Sequence, residues 1–369
     1  MIAFGASACR AEPVALDGAA FEIKRLKVGP GDNAVLFRDF NNDGFLDLAA
    51  ATESQSSVAI MLGDGKGGLS DPRSFSAGDN PASLDSADIN SDGRLDLVIA
   101  NHENPFLTLL LGDGSGGFAA AKNSPVQLTV TPHPHMVKAE DLDQDGHVDL
   151  IVDSRDEFGV FVLRGLGQGT FDAPGIGINV EGAPYLGFAI GDINGDKRPD
   201  LVTPNARDVS VMLSVNSSPL AFNRSQSVIF ASPFAVELAD MNGDGHLDLI
   251  VASNQGGSSV GVFLGNGSGQ FSIDADATFR VATGAKSIAI GDINGDGLSD
   301  AVVSSWNSDV RIIYGDASDF TSTELPLGEL ETPWGVAIGD LNGDGRDDLI
   351  VTDGVSSVAN LYLSRPGSE

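Results

Sequence analysis

A nine-residue motif rich in aspartate recurs seven times along this chain of 369 residues. Its first copy reads Asp39-Phe-Asn-Asn-Asp-Gly-Phe-Leu-Asp47, and the others begin at Asp88, Asp141, Asp192, Asp240, Asp292 and Asp340. The spacings between the first aspartates are 49, 53, 51, 48, 52 and 48 residues. Seven copies at so regular a period indicate a repeat architecture, in which each repeat is one unit that packs against its neighbours.

Each repeat carries the signals of four short strands. An alternating segment precedes the motif, as in Ser287–Ile290, and an apolar run such as Leu249–Val251 follows it. A third apolar run, a glycine-rich turn and a weaker fourth segment complete the unit. Short runs rich in β-branched residues and bounded by Gly, Asn and Asp are typical of strands. The pattern predicts an all-β fold, a seven-bladed β-propeller of four-stranded blades; a solenoid is the structural alternative.

The two ends of the chain suggest how the ring closes. The last repeat ends with its third strand, Val358–Leu363, and one additional strand, Phe21–Val28, precedes the first motif. We expect this N-terminal strand to complete the last blade, because closure removes two exposed sheet edges. The predicted organisation is a signal-like or disordered segment at residues 1–18 and a single propeller domain at residues 19–369.

The motif places oxygen donors at positions one, three, five and nine of a tight loop, and the backbone carbonyl of position seven can add another. Ca²⁺ suits such a set because it accepts six to eight oxygen ligands in irregular geometry. Nitrogen and sulfur ligands, which Zn²⁺ and Cu²⁺ prefer, are absent from the motif. The alternative is a set of Asx turns without metal. The predicted cofactor is calcium, up to seven ions.

The predicted side-chain ligands are Asp39, Asn41, Asp43, Asp47, Asp88, Asn90, Asp92, Asp96, Asp141, Asp143, Asp145, Asp149, Asp192, Asn194, Asp196, Asp200, Asp240, Asn242, Asp244, Asp248, Asp292, Asn294, Asp296, Asp300, Asp340, Asn342, Asp344 and Asp348. The predicted backbone-carbonyl ligands are Phe45, Arg94, His147, Arg198, His246, Leu298 and Arg346. The fourth copy departs from the pattern, since Lys197 replaces the glycine of position six and Pro199 precedes Asp200. We expect the fourth site to bind loosely or to be distorted.

These residues resemble the FG-GAP/VCBS repeat family. The resemblance lies in Asp-x-Asn-x-Asp-Gly-x-x-Asp-Leu, followed by a strand and a turn such as Leu111-Gly-Asp-Gly-Ser-Gly-Gly-Phe118, and it extends over about residues 21–365. It implies a seven-bladed propeller with Ca²⁺ in the loops between the first and second strands. Similar propellers form the headpiece of integrin α subunits, sugar-binding fungal lectins and bacterial polysaccharide lyases. The resemblance therefore indicates the fold and leaves the function open.

The loops of a propeller alternate between two faces, so the face opposite the aspartate motifs is free for a ligand. The loops that lead into the first strands, and the turns between second and third strands, contribute rarer side chains to this face. Aromatic rings beside polar groups suit recognition of a sugar or peptide; the alternative is that these residues pack blade against blade. The candidate ligand-binding residues are His135, Tyr185, Phe234, Lys286, Trp306 and Trp334.

Composition excludes several classes of function. The net charge of −31 repels a phosphate backbone, so nucleic acid is not an expected partner. No apolar run reaches the ~20 residues that a membrane-spanning helix needs.

The single cysteine, Cys9, rules out an internal disulfide, and the sequence ending at Cys9 resembles a secretory or lipidation signal. Many weak calcium sites require about millimolar calcium, which favours a secreted, periplasmic or cell-surface location.

We expect a monomeric, calcium-stabilised recognition or adhesion module that binds a glycan or a cell-surface protein through the face opposite the motifs. The alternative is a polysaccharide lyase or other carbohydrate-active enzyme on the same face. Such an enzyme needs a base and a cation beside a uronic carboxylate, for which His135, Tyr185, Lys138 and Arg155 are candidates. A structural spacer is the third possibility.

Overall fold

The computed structural model describes residues 21–29, 34–102, 104–128, 134–153, 159–180, 187–215, 220–254, 259–281, 284–306 and 309–365. These residues form seven antiparallel sheets, which are the seven blades of a β-propeller. The predicted fold class is therefore confirmed. Within the described residues, no helix has the length and apolar character needed to span a membrane.

Blades 1 to 3 follow one another along the chain after a single strand, β1 (Phe21–Lys27). Blade 1 contains β2 (Val35–Arg38), β3 (Asp47–Thr52), β4 (Ser57–Met61) and β5 (Arg73–Ser76), with one 3-10 turn at Glu53–Gln55. Blade 2 contains β6 (Pro81–Ala87), β7 (Asp96–Asn101), β8 (Phe106–Gly112), β9 (Phe118–Ala120) and β10 (Val126–Gln127). Blade 3 contains β11 (Val137–Glu140), β12 (Asp149–Asp153), β13 (Gly159–Gly165) and β14 (Phe171–Asn179). Blade 2 differs from the prediction in one respect, since β9 and β10 both pair with β8 and divide the outer position between them.

Blades 4 to 7 repeat the same arrangement. Blade 4 contains β15 (Ala189–Gly191), β16 (Asp200–Pro204), β17 (Asp208–Ser214) and β18 (Phe222–Ile229). Blade 5 contains β19 (Pro233–Ala239), β20 (Asp248–Ser253), β21 (Ser259–Phe263) and β22 (Ala277–Arg280). Blade 6 contains β23 (Ala285–Gly291), β24 (Asp300–Ser305), β25 (Asp309–Tyr314) and β26 (Thr321–Glu324). Blade 7 contains β27 (Pro333–Gly339), β28 (Asp348–Asp353) and β29 (Val358–Ser364), and β1 is its outer strand.

Strand β1 pairs antiparallel with β29 in a continuous register from Phe21 opposite Ser364 to Lys27 opposite Val358. The rings of Phe21 and Tyr362 meet edge to face, with 6.0 Å between their centroids. The last sheet therefore contains both the first and the last strand of the described chain.

The hydrophobic core lies between the blades. Every residue of the second strands, for example β3 and β28, is buried, because both faces of these strands are covered by neighbouring blades. Seven apolar clusters occupy the seven boundaries between blades. One of them joins blade 7 to blade 1 through Phe37, Met61 and Leu361. The first strands of neighbouring blades contact each other and enclose a central channel.

Candidate functional site

The seven aspartate motifs form the loops between the first and second strands of each blade, and position nine is the first residue of each second strand. The chain of each loop wraps around its first aspartate. In the fifth blade, Oδ1 of Asp240 accepts the N–H of Asp244 at 3.1 Å, and Oδ2 accepts the N–H of Gly245 at 2.8 Å. The same two hydrogen bonds occur in the other six loops. The repeated sequence thus folds into one repeated loop conformation.

The aspartate at position nine fastens each loop to the third strand of its blade. In blade 5, Oδ2 of Asp248 accepts the N–H of Met241 at 2.9 Å, and Oδ1 accepts the N–H of Gly265 at 2.8 Å. Its side chain is fully buried, and burial raises its pKa to about 6. Burial likewise raises the pKa of Asp96, Asp149 and Asp348 to about 6, and that of Asp300 to about 7.

The fourth loop has the same backbone as the others. Lys197 adopts the left-handed conformation at φ 67°, and its N–H donates to Oδ2 of Asp192 at 2.7 Å, as the glycines of position six do. The N–H of Asp196 donates to Oδ1 of the same aspartate at 3.0 Å. The backbone of this loop is therefore not distorted, and weaker calcium binding at the fourth site stays a prediction. A lysine at positive φ costs strain energy that a glycine avoids.

The loops offer side-chain oxygens as donors to a hard divalent cation. In the third loop, carboxylate oxygens of Asp141, Asp143 and Asp149 lie within 4.8 Å of one another, and no other such group of acidic, histidine or cysteine side chains occurs among the described residues. At position seven, the N–H of His246 donates to Oδ1 of Asp244 at 2.9 Å, and each of the other loops repeats this bond. The predicted use of the position-seven carbonyls as ligands stays a prediction.

A cavity of about 760 Å³ lies in the central channel, and its side walls come from the first strands of the blades. Five of the six predicted ligand-face residues line it, and Tyr185 lies outside the described residues, as does the predicted segment 1–18. The five predicted residues that line it are His135, Phe234, Lys286, Trp306 and Trp334. The topology therefore brings together side chains from blades 3, 5, 6 and 7.

One side of the cavity is aromatic. Trp306, on blade 6, is 43% exposed, and its ring is perpendicular to that of Trp334 on blade 7, with 5.1 Å between the ring centroids. The ammonium of Lys286 lies 3.3 Å from the centroid of Trp306 and also lies over the ring of Trp334. The two tryptophans pack one blade against the next and also form part of the cavity wall. Their role in binding a ligand stays a prediction.

Two imidazoles lie on blades 2 and 3 at the same cavity. The rings of His102 and His135 are 4.5 Å apart, and Nδ1 of His135 lies 3.5 Å from Oδ2 of Asp153. The other oxygen of Asp153 accepts the N–H groups of His135 and Met136, at 2.8 Å and 2.7 Å. Asp153 is buried and fixes the position of His135. Asp153 could not be identified from the sequence, because its contact with His135 follows only from the fold of blade 3.

Charged residues from different blades lie deeper in the channel. Lys138 of blade 3 and Glu237 of blade 5 both line the cavity, and the charge of Glu237 raises the pKa of Lys138. Burial raises the pKa of Glu237. Glu237 was missed in the sequence, although a charged side chain in the otherwise apolar strand β19 was an available signal.

Comparisons with solved structures support the fold. Two crystals of BBS1N in complex with ARL6DN, soaked with mercury and with lead, match at 11% and 12% identity with TM-scores of 0.65 and 0.62. In both, the match covers 95% of this chain and 98% of the other. A lectin from Agrocybe aegerita that recognises non-reducing terminal N-acetylglucosamine matches at 18% identity and a TM-score of 0.53, covering 88% of this chain and 86% of the lectin. At these identities the similarity concerns the fold alone.

A search of curated protein sequences found no match. A family model described as the FG-GAP-like repeat matches residues 39–99, 88–152, 141–203, 240–303 and 292–351. These overlapping matches extend over more than half of the chain, and each begins at the first aspartate of a motif. The chain therefore belongs to the FG-GAP-like repeat family.

Proposed function

We propose that this protein is a carbohydrate-recognition propeller that binds a glycan in the channel cavity, on the face opposite the aspartate loops. The observation that carries the proposal is the wall formed by Trp306 and Trp334, which lines the same cavity as the imidazoles of His102 and His135. Exposed indole rings stack on the apolar faces of sugar rings, and imidazole and amide groups bond to hydroxyls. The cavity volume, about 760 Å³, falls in the range of small-ligand sites.

A glycan is favoured over a cell-surface protein because the aromatic surface is concave. A stable protein interface buries roughly 800 Å² of surface on each partner. The surface formed by Trp306 and Trp334 is instead part of the wall of a channel. That the lectin from Agrocybe aegerita shares the fold shows that a glycan ligand is compatible with this architecture. The BBS1N complex supports a protein partner in the same way, so a cell-surface protein is the alternative ligand.

Calcium is the second part of the proposal. The donor set of each loop consists of carboxylate, amide and carbonyl oxygens, which suit Ca²⁺ better than Zn²⁺ or Cu²⁺. When bound, calcium would supply positive charge beside the position-nine carboxylates, whose pKa burial raises. Because many weak sites require about millimolar calcium, we place the protein outside the cytoplasm, as a secreted, periplasmic or cell-surface module.

The two tryptophans of the cavity are the only two in the chain, so intrinsic fluorescence reports on the proposed site directly. The calcium-loaded protein is titrated with a panel of oligosaccharides and, separately, applied to a glycan array and to an array of cell-surface proteins. Trp306→Ala should abolish binding. The matched control is Phe45→Ala, which removes an exposed aromatic side chain from the first aspartate loop. Equal loss in both variants, or no loss in either, would contradict the proposed location, and binding to cell-surface proteins alone would replace the glycan by a protein partner.

A second candidate, chemical cleavage of the bound glycan, is favoured by the pair formed by His135 and Asp153. A histidine positioned by a buried carboxylate can act as a general base through its other ring nitrogen, Nε2. In a lyase reaction, Nε2 would take the proton from the carbon beside a uronic carboxylate. The electron pair of that C–H bond would form a C=C double bond as the bond to the leaving oxygen breaks, and the leaving oxygen would take a proton from water. Lys138 could neutralise the carboxylate. Appearance of unsaturated ends with acidic polysaccharides, and their loss in His135→Ala, would establish the enzyme.

A further inference from the structure

The third blade differs from the other six at Arg164, the second-last residue of its third strand. In every blade, the following residue donates its N–H to the position-nine carboxylate, so the seven positions are structurally equivalent. Six of the seven are apolar, and the third blade alone has a cation, Arg164. The six apolar residues are Leu62, Leu111, Leu213, Leu264, Tyr314 and Leu363.

The same blade also differs in its aspartate loop. Position three is Asp143, whereas the other six loops have asparagine there. At positions one, three, five and nine, the third loop therefore has four carboxylates and each of the others has three. The side chain of Asp143 is 1% exposed and lies near those of Asp141 and Asp149. Four carboxylates packed this closely repel one another unless a cation compensates them.

Arg164 is placed to compensate them. Its Nη2 lies 2.8 Å from Oδ2 of Asp145, and its Nε donates to Oδ2 of Asp143. In five of the other loops the asparagine at position three donates its Nδ2 to the position-five carboxylate, as Asn242 does to Asp244 at 3.1 Å. Arg164 supplies this donor in the third loop, together with the positive charge that an asparagine lacks.

We propose that Arg164 is a built-in cation of the third loop, and that its guanidinium competes with a divalent ion for the carboxylates of Asp143 and Asp145. The proposal rests on the proposed calcium binding and deepens it, because it makes one of the seven loops different from the rest. The third loop holds its shape without metal. With the arginine removed, its four carboxylates make it the strongest calcium site of the seven, since affinity rises with the number of charged ligands.

The test compares calcium titrations by calorimetry, and urea unfolding in chelator, for four proteins. They are the wild type, Arg164→Leu, the double variant Arg164→Leu/Asp143→Asn, and Arg198→Leu. The first variant introduces the residue that most other blades have, and the double variant recreates the complete pattern of those blades. Arg198→Leu is the matched control, because Arg198 lies in the fourth loop and its guanidinium bonds to Ser214 and Val215 instead of loop carboxylates.

Arg164→Leu should gain one calcium site that binds about tenfold or more tightly than the others. In chelator it should unfold at lower urea than the wild type, and the double variant should recover. Unchanged calcium binding in Arg164→Leu, while the double variant binds calcium normally, would overturn the competition and leave the proposed calcium binding intact. Failure of all four proteins to bind calcium would overturn both. A similar calcium gain in Arg198→Leu would show a general charge effect and contradict the proposal.

Discussion

The indole rings of Trp306 and Trp334 are perpendicular, with 5.1 Å between their centroids, although the two residues belong to different blades. Trp306 is 43% exposed, whereas Trp334 is less exposed than Trp306 and is partly buried. The two side chains should therefore differ as fluorophores. Trp334→Phe, which leaves Trp306, should emit at longer wavelength and be quenched more strongly by acrylamide than Trp306→Phe.

Because the two rings are in contact, their signals should also be coupled. The near-ultraviolet circular dichroism of the wild type should exceed the sum of the two single variants. Identical emission and quenching in the two variants, with additive dichroism, would show that the tryptophans do not form this pair in solution.

Gly284 controls the position of Trp306. Its φ is 56°, its carbonyl accepts the N–H of Trp306 at 3.0 Å, and an added Cβ would lie 2.7 Å from Cδ1 of that indole. Gly284→Ala should therefore displace the ring and weaken glycan binding about tenfold, at a cost in stability of about 1–2 kcal/mol. Fluorescence titration and urea unfolding measure the two effects.

The matched control for this variant is Gly328→Ala. Gly328 has a similar φ of 62°, but an added Cβ would come no closer than 4.0 Å to another side chain. It should lose similar stability from backbone strain and keep its glycan affinity. Equal loss of glycan affinity in both variants would mean that Gly284 does not affect binding through the position of Trp306.

The stability of the metal-free protein should depend on pH through the position-nine aspartates. Their ordinary pKa is 3.8, and burial raises it to about 6 for Asp96, Asp149, Asp248 and Asp348 and to about 7 for Asp300. Between these values the folded protein binds more protons than the unfolded chain, so the free energy of unfolding falls as pH rises. In chelator, the urea midpoint should decrease between about pH 5 and pH 7.

If calcium binds the loops as proposed, it should counteract this decrease, because an ion bound to the ionised carboxylates stabilises only the folded state. The difference between the calcium and chelator midpoints should therefore widen as pH rises. A metal-free protein that becomes more stable from about pH 5 to pH 7 would be inconsistent with buried, proton-binding aspartates. If the difference between the two midpoints stayed constant over this range, calcium binding would not depend on the ionisation of the position-nine aspartates.

The fold was predictable because each repeat carries its own signals. The aspartate at position nine starts every second strand, and the apolar run after it, such as Leu249–Val251, is buried on both faces. These signals are local, and they recur seven times. The common location of the candidate ligand-binding residues at one cavity followed from topology alone, since it required only that loops alternate between the two faces of a propeller.

The contacts within the site could not be predicted in the same way. Asp153 meets His135 because neighbouring strands of blade 3 bring them together, and Lys286 lies over two indoles because blades 6 and 7 are adjacent. These contacts depend on side-chain directions that periodicity does not encode. In the sequence, Arg164 is notable only because it stands where the other six repeats have an apolar residue. The proposed role of Arg164 depends on its distance to Asp145, which only the structure provides.

The fourth loop provides a test of the backbone conformation that all seven loops share. Lys197 is exposed and occupies φ 67°, where the other six loops have glycine. A non-glycine residue in this conformation lowers the free energy of unfolding by roughly 1–2 kcal/mol. Replacing it with glycine removes that strain, but the greater entropy of glycine in the unfolded chain cancels part of the stabilisation. Lys197→Gly should therefore stabilise the protein by about 1 kcal/mol, measured as an increase in the urea midpoint in chelator.

The reverse exchange in the fifth loop is the control. Gly245 has φ 84°, and an added Cβ would meet no atom within 4 Å, so Gly245→Lys changes the backbone preference without a steric clash. It should destabilise the protein by a similar amount, because it introduces the same strain that Lys197 now carries. If Lys197→Gly lowered the midpoint instead, the lysine side chain would have to stabilise the loop by more than its strain costs, and the fourth loop would differ from the other six after all.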